Sequence, residues 1–110
     1  MAYDPRLVER VRELLAGAAD VSEKRMFGGL AFLIGGNMAV AASHDGGLLV
    51  RVDPEDGERL VDDDRIRPMV MRGREMPGWL KVAAEAVVPA AGLRDWVDRG
   101  LAYARTLPVK

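Results

Sequence analysis

"EKRMFGGLAFLIGGNMAVAAS", residues 23–43, places strand-forming side chains at Met26, Phe27, Leu30, Phe32, Ile34, Met38 and Val40, yet four glycines interrupt it. Glycine weakens a strand interior, because it loses the most conformational freedom on folding and packs nothing. Gly35-Gly36-Asn37 is hairpin chemistry, since these residues tolerate positive φ. Gly28-Gly29 has no such ready account. The simplest reading is a bulge or bend, with one strand running on through Leu30 to Ile34 and its side chains re-aimed. A sharper reading is that the bare backbone lets a partner or ligand approach closely, or offers N–H groups as an anion nest.

Working outward, Asp45-Gly46-Gly47 marks a second turn, and "LLVRV" (residues 48–52) is a strand by composition. Residues 23–52 are therefore predicted as three strands in a meander. Before them, Asp4-Pro5 is a helix start, with Asp as N-cap and Pro where a missing N–H costs nothing. Leu7, Val8, Val11, Leu14 and Leu15 follow at one-face helical spacing. Asp53-Pro54 repeats the signature for a short second helix, with Glu55 and Asp56 at the positive end of its dipole. "RPMVM" and "GWLKVA" then read as two strands joined by the polar "RGREMP", and Pro89 opens a last helix. Its apolar face is Leu93, Trp96, Val97, Leu101 and Ala104, with Trp96 expected as a core anchor. The order α-β-β-β-α-β-β-α predicts a single α+β domain over residues 1–110, an antiparallel sheet with helices packed against it.

The totals bound the function. A chain of 110 residues with 49% hydrophobic content can bury one core. Sixteen basic and 17 acidic residues give a net charge of −1, which argues against a surface built wholly for nucleic acid or an anionic membrane. There is no cysteine, so disulfides and thiolate metal sites are excluded. The charged N-terminus lacks the apolar core of a signal peptide, and no apolar run approaches the length of a membrane span. A soluble, cytoplasmic protein is the expectation.

Taken together, "RMFGG", the glycine-bearing hairpin, "LLVRVDP", "RPMVMRGREMPGWLKV" and the final helix with Trp96 resemble the N-terminal domain of the TfoX/Sxy family of bacterial competence regulators. The resemblance runs from about Leu7 to Arg105, and Met26-Phe27-Gly28-Gly29 is its most specific motif. It implies an α-β3-α-β2-α fold around a five-stranded antiparallel sheet. It also implies a non-catalytic role in transcription regulation through protein contacts. Full-length regulators of the family continue into a second, helical domain, and this chain is expected to be a stand-alone copy of the first. Where relatives carry paired tyrosines on the last strand, this chain has Gly78-Trp79-Leu80.

The residues themselves offer little chemistry. His44, the only histidine, precedes Asp45 and resembles a general base beside a carboxylate, but Asp45-Gly46-Gly47 is already a turn. Ser22, Ser43 and Thr106 sit in no nucleophile motif. Asp62-Asp63-Asp64 with Glu58 lacks the spacing of a cation loop and reads as a solvated acidic loop. No catalytic residue, metal or cofactor is therefore expected. Charge is more informative locally: residues 53–64 carry seven acids against Arg59, while residues 65–81 carry Arg65, Arg67, Arg72, Arg74 and Lys81 against Glu75. The two segments can pair internally. Alternatively, Arg65, Arg67, Arg72, Arg74 and Trp79 form an interaction surface, with Arg72-Gly73-Arg74 as an exposed loop suited to phosphates or an acidic protein face. Such a surface serves either a protein partner such as transcription machinery or, more weakly, nucleic acid. A small-ligand protein or an enzyme has the least behind it. The two open edges of the sheet also suggest a homodimer.

Overall fold

The computed structural model describes residues 4–26, 29–62 and 64–109. Helix α1, Pro5–Leu14, begins as its sequence dictates: the Asp4 carboxylate accepts from the Arg6 amide at 2.9 Å, with Pro5 in the first turn. Strands β1 (Val21–Met26), β2 (Gly29–Ile34), β3 (Asn37–Ala42) and β4 (Leu48–Arg51) follow, then α2 (Pro54–Leu60). The chain continues through β5 (Ile66–Met71), β6 (Arg74–Val82), the one-turn α3 (Ala84–Val87) and α4 (Ala90–Ala104). The strands form one six-stranded antiparallel sheet in the order β1-β2-β3-β4-β6-β5.

The sixth strand corrects the reading of residues 23–34. They are not one strand with a bulge but two that pair with each other, Met26 opposite Gly29 and Val21 opposite Ile34. The connection is Phe27-Gly28, which lies outside the described residues. Gly29 itself opens β2 and is buried; a Cβ there would fall on the Ala42 carbonyl oxygen and stand 3.3 Å from the Ser43 Cα. Its bare backbone does admit a close neighbour, and the neighbour is the chain's own β3. A true bulge lies further on, between Phe32 and Leu33, where Ala39 and Val40 turn the same way. Gly35 and Gly36, with φ of 55° and 86°, make the β2–β3 turn as their sequence predicts.

The "RGREMP" segment is likewise more regular than a polar connection. Arg72 and Gly73, with φ of 54° and 78°, form a two-residue hairpin turn, and β6 resumes at once with Arg74 opposite Met71. The register then slips between Pro68 and Met69, leaving Pro77-Gly78 as a bulge. The Gly78 (φ 80°) carbonyl accepts from the Val52 amide at 2.8 Å, and a Cβ at Gly78 would stand 2.5 Å from the Val52 carbonyl oxygen, which leaves no room for a side chain.

All four helices lie on one face of the sheet. Leu7, Val8, Val11 and Leu15 of α1 and its C-terminal end, Val87 of α3, and Leu93 and Val97 of α4 pack with Leu30, Phe32, Val40, Val50, Leu80 and Val82. Leu60 and Val61 bring α2 to the same core, and Trp96 is half-buried against it. Arg12 clamps the start of this layer to β1, donating to both carboxylate oxygens of Glu23 at 2.8 and 2.9 Å.

Candidate interaction surface

Because side chains alternate across a strand, the pairing registers assign every strand position to a face. The face away from the helices carries its own apolar cluster. Ala31, Met38, Ala41, Leu49 and Met69 are buried there, overlain by the half-buried Met26, Leu33, Met71, Met76 and Trp79. Among the described residues, no helical side chain takes part in this cluster. It runs without a break from β1 to β5, and it holds every methionine among the described residues.

The same alternation places Lys24 of β1, Arg51 of β4, Arg67 of β5, and Arg74 and Lys81 of β6 on this face. The strand carboxylates Glu23 and Glu75 point to the opposite one. Arg51 lies over the Trp79 ring at 4.9 Å and near the Tyr103 ring at 5.7 Å. Lys81 is 3.4 Å from the Asp45 carboxylate. Among the described residues, Lys24, Arg67 and Arg74 enter no ion pair.

Of the residues singled out by sequence, the structure brings Arg67, Arg74, Trp79 and Met26 onto this face. Arg72 stands apart in the hairpin turn and is exposed. Arg65 precedes β5 and faces Glu85 of α3 at 3.9 Å, so it belongs to the rim near the helices. Phe27 and Gly28 of the family motif lie outside the described residues, and Gly29 is structural. Lys24, Arg51 and Lys81 are additions that sequence reasoning missed. Their signal was the period-two spacing Lys24-x-Met26, Leu49-x-Arg51 and Trp79-x-Lys81, which groups a cation with an apolar neighbour but cannot say which way the pair turns.

The other candidates resolve into turn chemistry. His44 is exposed, and Asp45 is engaged away from it, accepting from the Gly47 amide at 3.0 Å. Burial pushes the Asp45 carboxyl up, but the Gly47 amide, the Ser43 hydroxyl and Lys81 outweigh it and hold it below the ordinary range. Asp62 closes its loop by accepting from the amides of Asp64, Arg65 and Ile66 at 2.8–3.0 Å, and these hydrogen bonds hold its carboxyl low. Asp63 lies outside the described residues. No cluster of His, Cys, Asp and Glu suited to a metal ion occurs among the described residues. A cleft of about 300 Å³ between α2 and the β5–β6 hairpin opens on the helix side, with Glu58 and Glu75 as its ionisable lining groups among the described residues. No helix of the described chain is long and apolar enough to cross a membrane.

This fold, with its glycine-bearing first hairpin and final docked helix, agrees with a family model: the TfoX N-terminal domain matches residues 13–104. The chain belongs to the TfoX N-terminal domain family. Among solved structures, this family member is similar to the crystal structure of Deinococcus radiodurans protein DR2400, which carries a DUF419 domain. The two share 23% sequence identity with a TM-score of 0.64, over 86% of this chain and 75% of that one, and at that identity the likeness shows the fold. No curated protein matches the chain.

Proposed function

We propose that this TfoX N-terminal domain is a non-catalytic regulatory module, acting in the cytoplasm by binding a protein partner on the helix-free face of its sheet. The observation that carries the reading is the unbroken apolar row from Met26 to Met71, overlain by half-buried side chains rather than by a helix. A sheet with one face in the core ordinarily turns polar side chains outward. Here the outward face is apolar at its centre, which is how interaction surfaces differ from solvated ones. Methionine adds to this, because its flexible thioether repacks against varied partners. Family membership supports a regulatory setting, with transcription machinery as the partner to look for first.

The edges argue for the face as the contact. Edge strand β1 presents Glu23-Lys24-Arg25, and edge strand β5 contains Pro68; charge and proline both discourage strand addition. Capture from native cell extract, comparing the parent protein with Arg67→Glu/Arg74→Glu, tests the proposal. A specific protein retained by the parent and lost from the variant is the expected result. A saturable turnover of a small substrate, with no protein retained by either form, would overturn it.

A further inference from the structure

We infer that the occupant of this face is an acidic amphipathic peptide segment, which lays apolar side chains along the methionine row and sets its carboxylates against the surrounding cations. The inference rests on the interaction reading above and names the partner's chemistry. Its basis is a sorting of charge by face. Every ionisable strand position on the helix-free side is a cation, namely Lys24, Arg51, Arg67, Arg74 and Lys81, while both strand carboxylates, Glu23 and Glu75, lie on the other side together with Arg25. A chain of net charge −1 has no general excess of cations to spread about. Part of this charge is engaged internally, Lys81 by Asp45 and Arg51 by the Trp79 ring and the Tyr103 ring of α4, but Lys24, Arg67 and Arg74 enter no ion pair among the described residues.

The centre of the face decides between acidic partners. Ala31, Ala41, Leu49, Met38 and Met69 form its buried base, and the half-buried Met26, Leu33, Met71 and Met76 over them are the part a partner can touch. Among the described residues, Trp79 is the one aromatic side chain in the cluster. Single-stranded nucleic acid is held by successive aromatic platforms, and a floor of methyl and thioether groups does not provide them. Aliphatic side chains of a peptide suit it. A second copy placed face to face would oppose cation to cation, so a symmetric dimer does not satisfy this surface. Six strands at about 4.8 Å span roughly 24 Å, the length of a helix of about 16 residues.

The test uses the whole chain with ¹³C-methyl methionine and three probes. They are a helical peptide of about 16 residues with a leucine face and glutamate elsewhere, the same peptide with lysine for glutamate, and a thymidine oligonucleotide of about 12 nucleotides. The glutamate peptide is expected to move the Met26, Met69, Met71 and Met76 methyl signals and, in a Trp96→Phe background, the Trp79 emission. Its Kd should rise about tenfold or more in Arg67→Glu/Arg74→Glu, whose unbound methyl spectrum reports that the fold is intact. The lysine peptide should leave those signals in place. Equal binding of both peptides, tighter binding of the oligonucleotide, or silence with all three probes would overturn the inference. Should all probes be silent while the charge-reversed variant still loses a cellular partner, the acidic segment falls and the interaction reading stands. Should partner capture also be indifferent to the variant, both fall.

Discussion

Gly29→Ala is the substitution that most directly probes how the first hairpin is built. Gly29 is buried at the start of β2, opposite Met26, and a methyl group there would meet backbone on every near side. It would overlap the Ala42 carbonyl oxygen, approach the Ala42 carbonyl carbon to 3.0 Å and stand 3.3 Å from the Ser43 Cα. None of these atoms is the end of a flexible side chain, so β2 and β3 must separate or β2 must shift. Overpacking of a buried site costs about 1–3 kcal/mol, and disturbing the adjoining ladder adds about 1 kcal/mol for a lost hydrogen bond. A total of about 2–4 kcal/mol follows. With an unfolding entropy of about 2.1 cal/mol/K per residue, a domain of 110 residues loses roughly 9–17 °C in Tm. Thermal melts followed by circular dichroism, with urea titrations to separate stability from a change in m, give the measurement. Gly17→Ala is the control, because a Cβ there meets nothing within 4 Å. If Gly29→Ala melts within a degree or two of the parent, the close approach of β3 does not constrain this position, and the account of the glycine pair is wrong.

Gly100→Ala tests the docking of α4 in the same way. Helix propensity alone favours alanine by about 1 kcal/mol. A Cβ at Gly100 would stand 2.5 Å from the Ala39 carbonyl oxygen, however, and overpacking of about 1–3 kcal/mol reverses the sign, so urea denaturation should show a net loss. Arg72→Asn should raise stability by about 0.5–1 kcal/mol, since Arg72 holds φ 54° where asparagine is better tolerated, and it should leave partner capture unchanged. Low pH should destabilise the fold through Glu23, Asp45 and Asp62. The carboxyl of Glu23 is held low chiefly by its hydrogen bond from Arg12, and those of Asp45 and Asp62 are also depressed. Groups with depressed folded-state values contribute stability above the ordinary carboxylate range and lose it as pH falls through those values. Tm should therefore fall steeply below about pH 4, and Asp62→Asn should flatten that limb.

The elements legible in the sequence are those whose signals are local. Asp4-Pro5 and Asp53-Pro54 each set a cap and a first turn, and the carboxylates accept from Arg6 and Glu55 as such caps do. Gly35-Gly36 fixed its hairpin because positive φ is a one-residue property. The reversal between β1 and β2 was not legible because Met26 and Leu30 on either side of it are both apolar, so one strand or two gives the same local pattern. Only the pairing distinguishes them: Met26 lies opposite Gly29, three residues on, rather than in line with it. The arginines of residues 65–74 were visible as a basic segment, yet a period of two says which residues share a face and not which face is covered. Arg65 and Arg72 left the group for that reason, one held toward Glu85 and the other in the turn. Gly100 carried no signal at all, since its role depends on a carbonyl sixty residues away.

Whole-chain charge conceals how this domain presents itself. The acidic segment 53–64 includes α2, which lies on the helix side, and one of its carboxylates, Asp62, is already engaged by backbone amides. The basic strand residues Arg67, Arg74 and Lys81 turn to the other side. A net charge of −1 is thus the sum of two opposed surfaces rather than a weak field everywhere. An acidic segment approaching this domain is repelled from one side and drawn to the other, which orients it before any apolar contact forms. That ordering makes a specific prediction about rates. Raising ionic strength should slow association of a glutamate-bearing peptide much more than it speeds dissociation, because screening acts on the approach and the methionine row holds the complex once formed. Stopped-flow fluorescence of Trp79 in the Trp96→Phe background separates the two. A salt effect confined to dissociation would mean that the cations act only within the bound complex, and the face would lose its steering role.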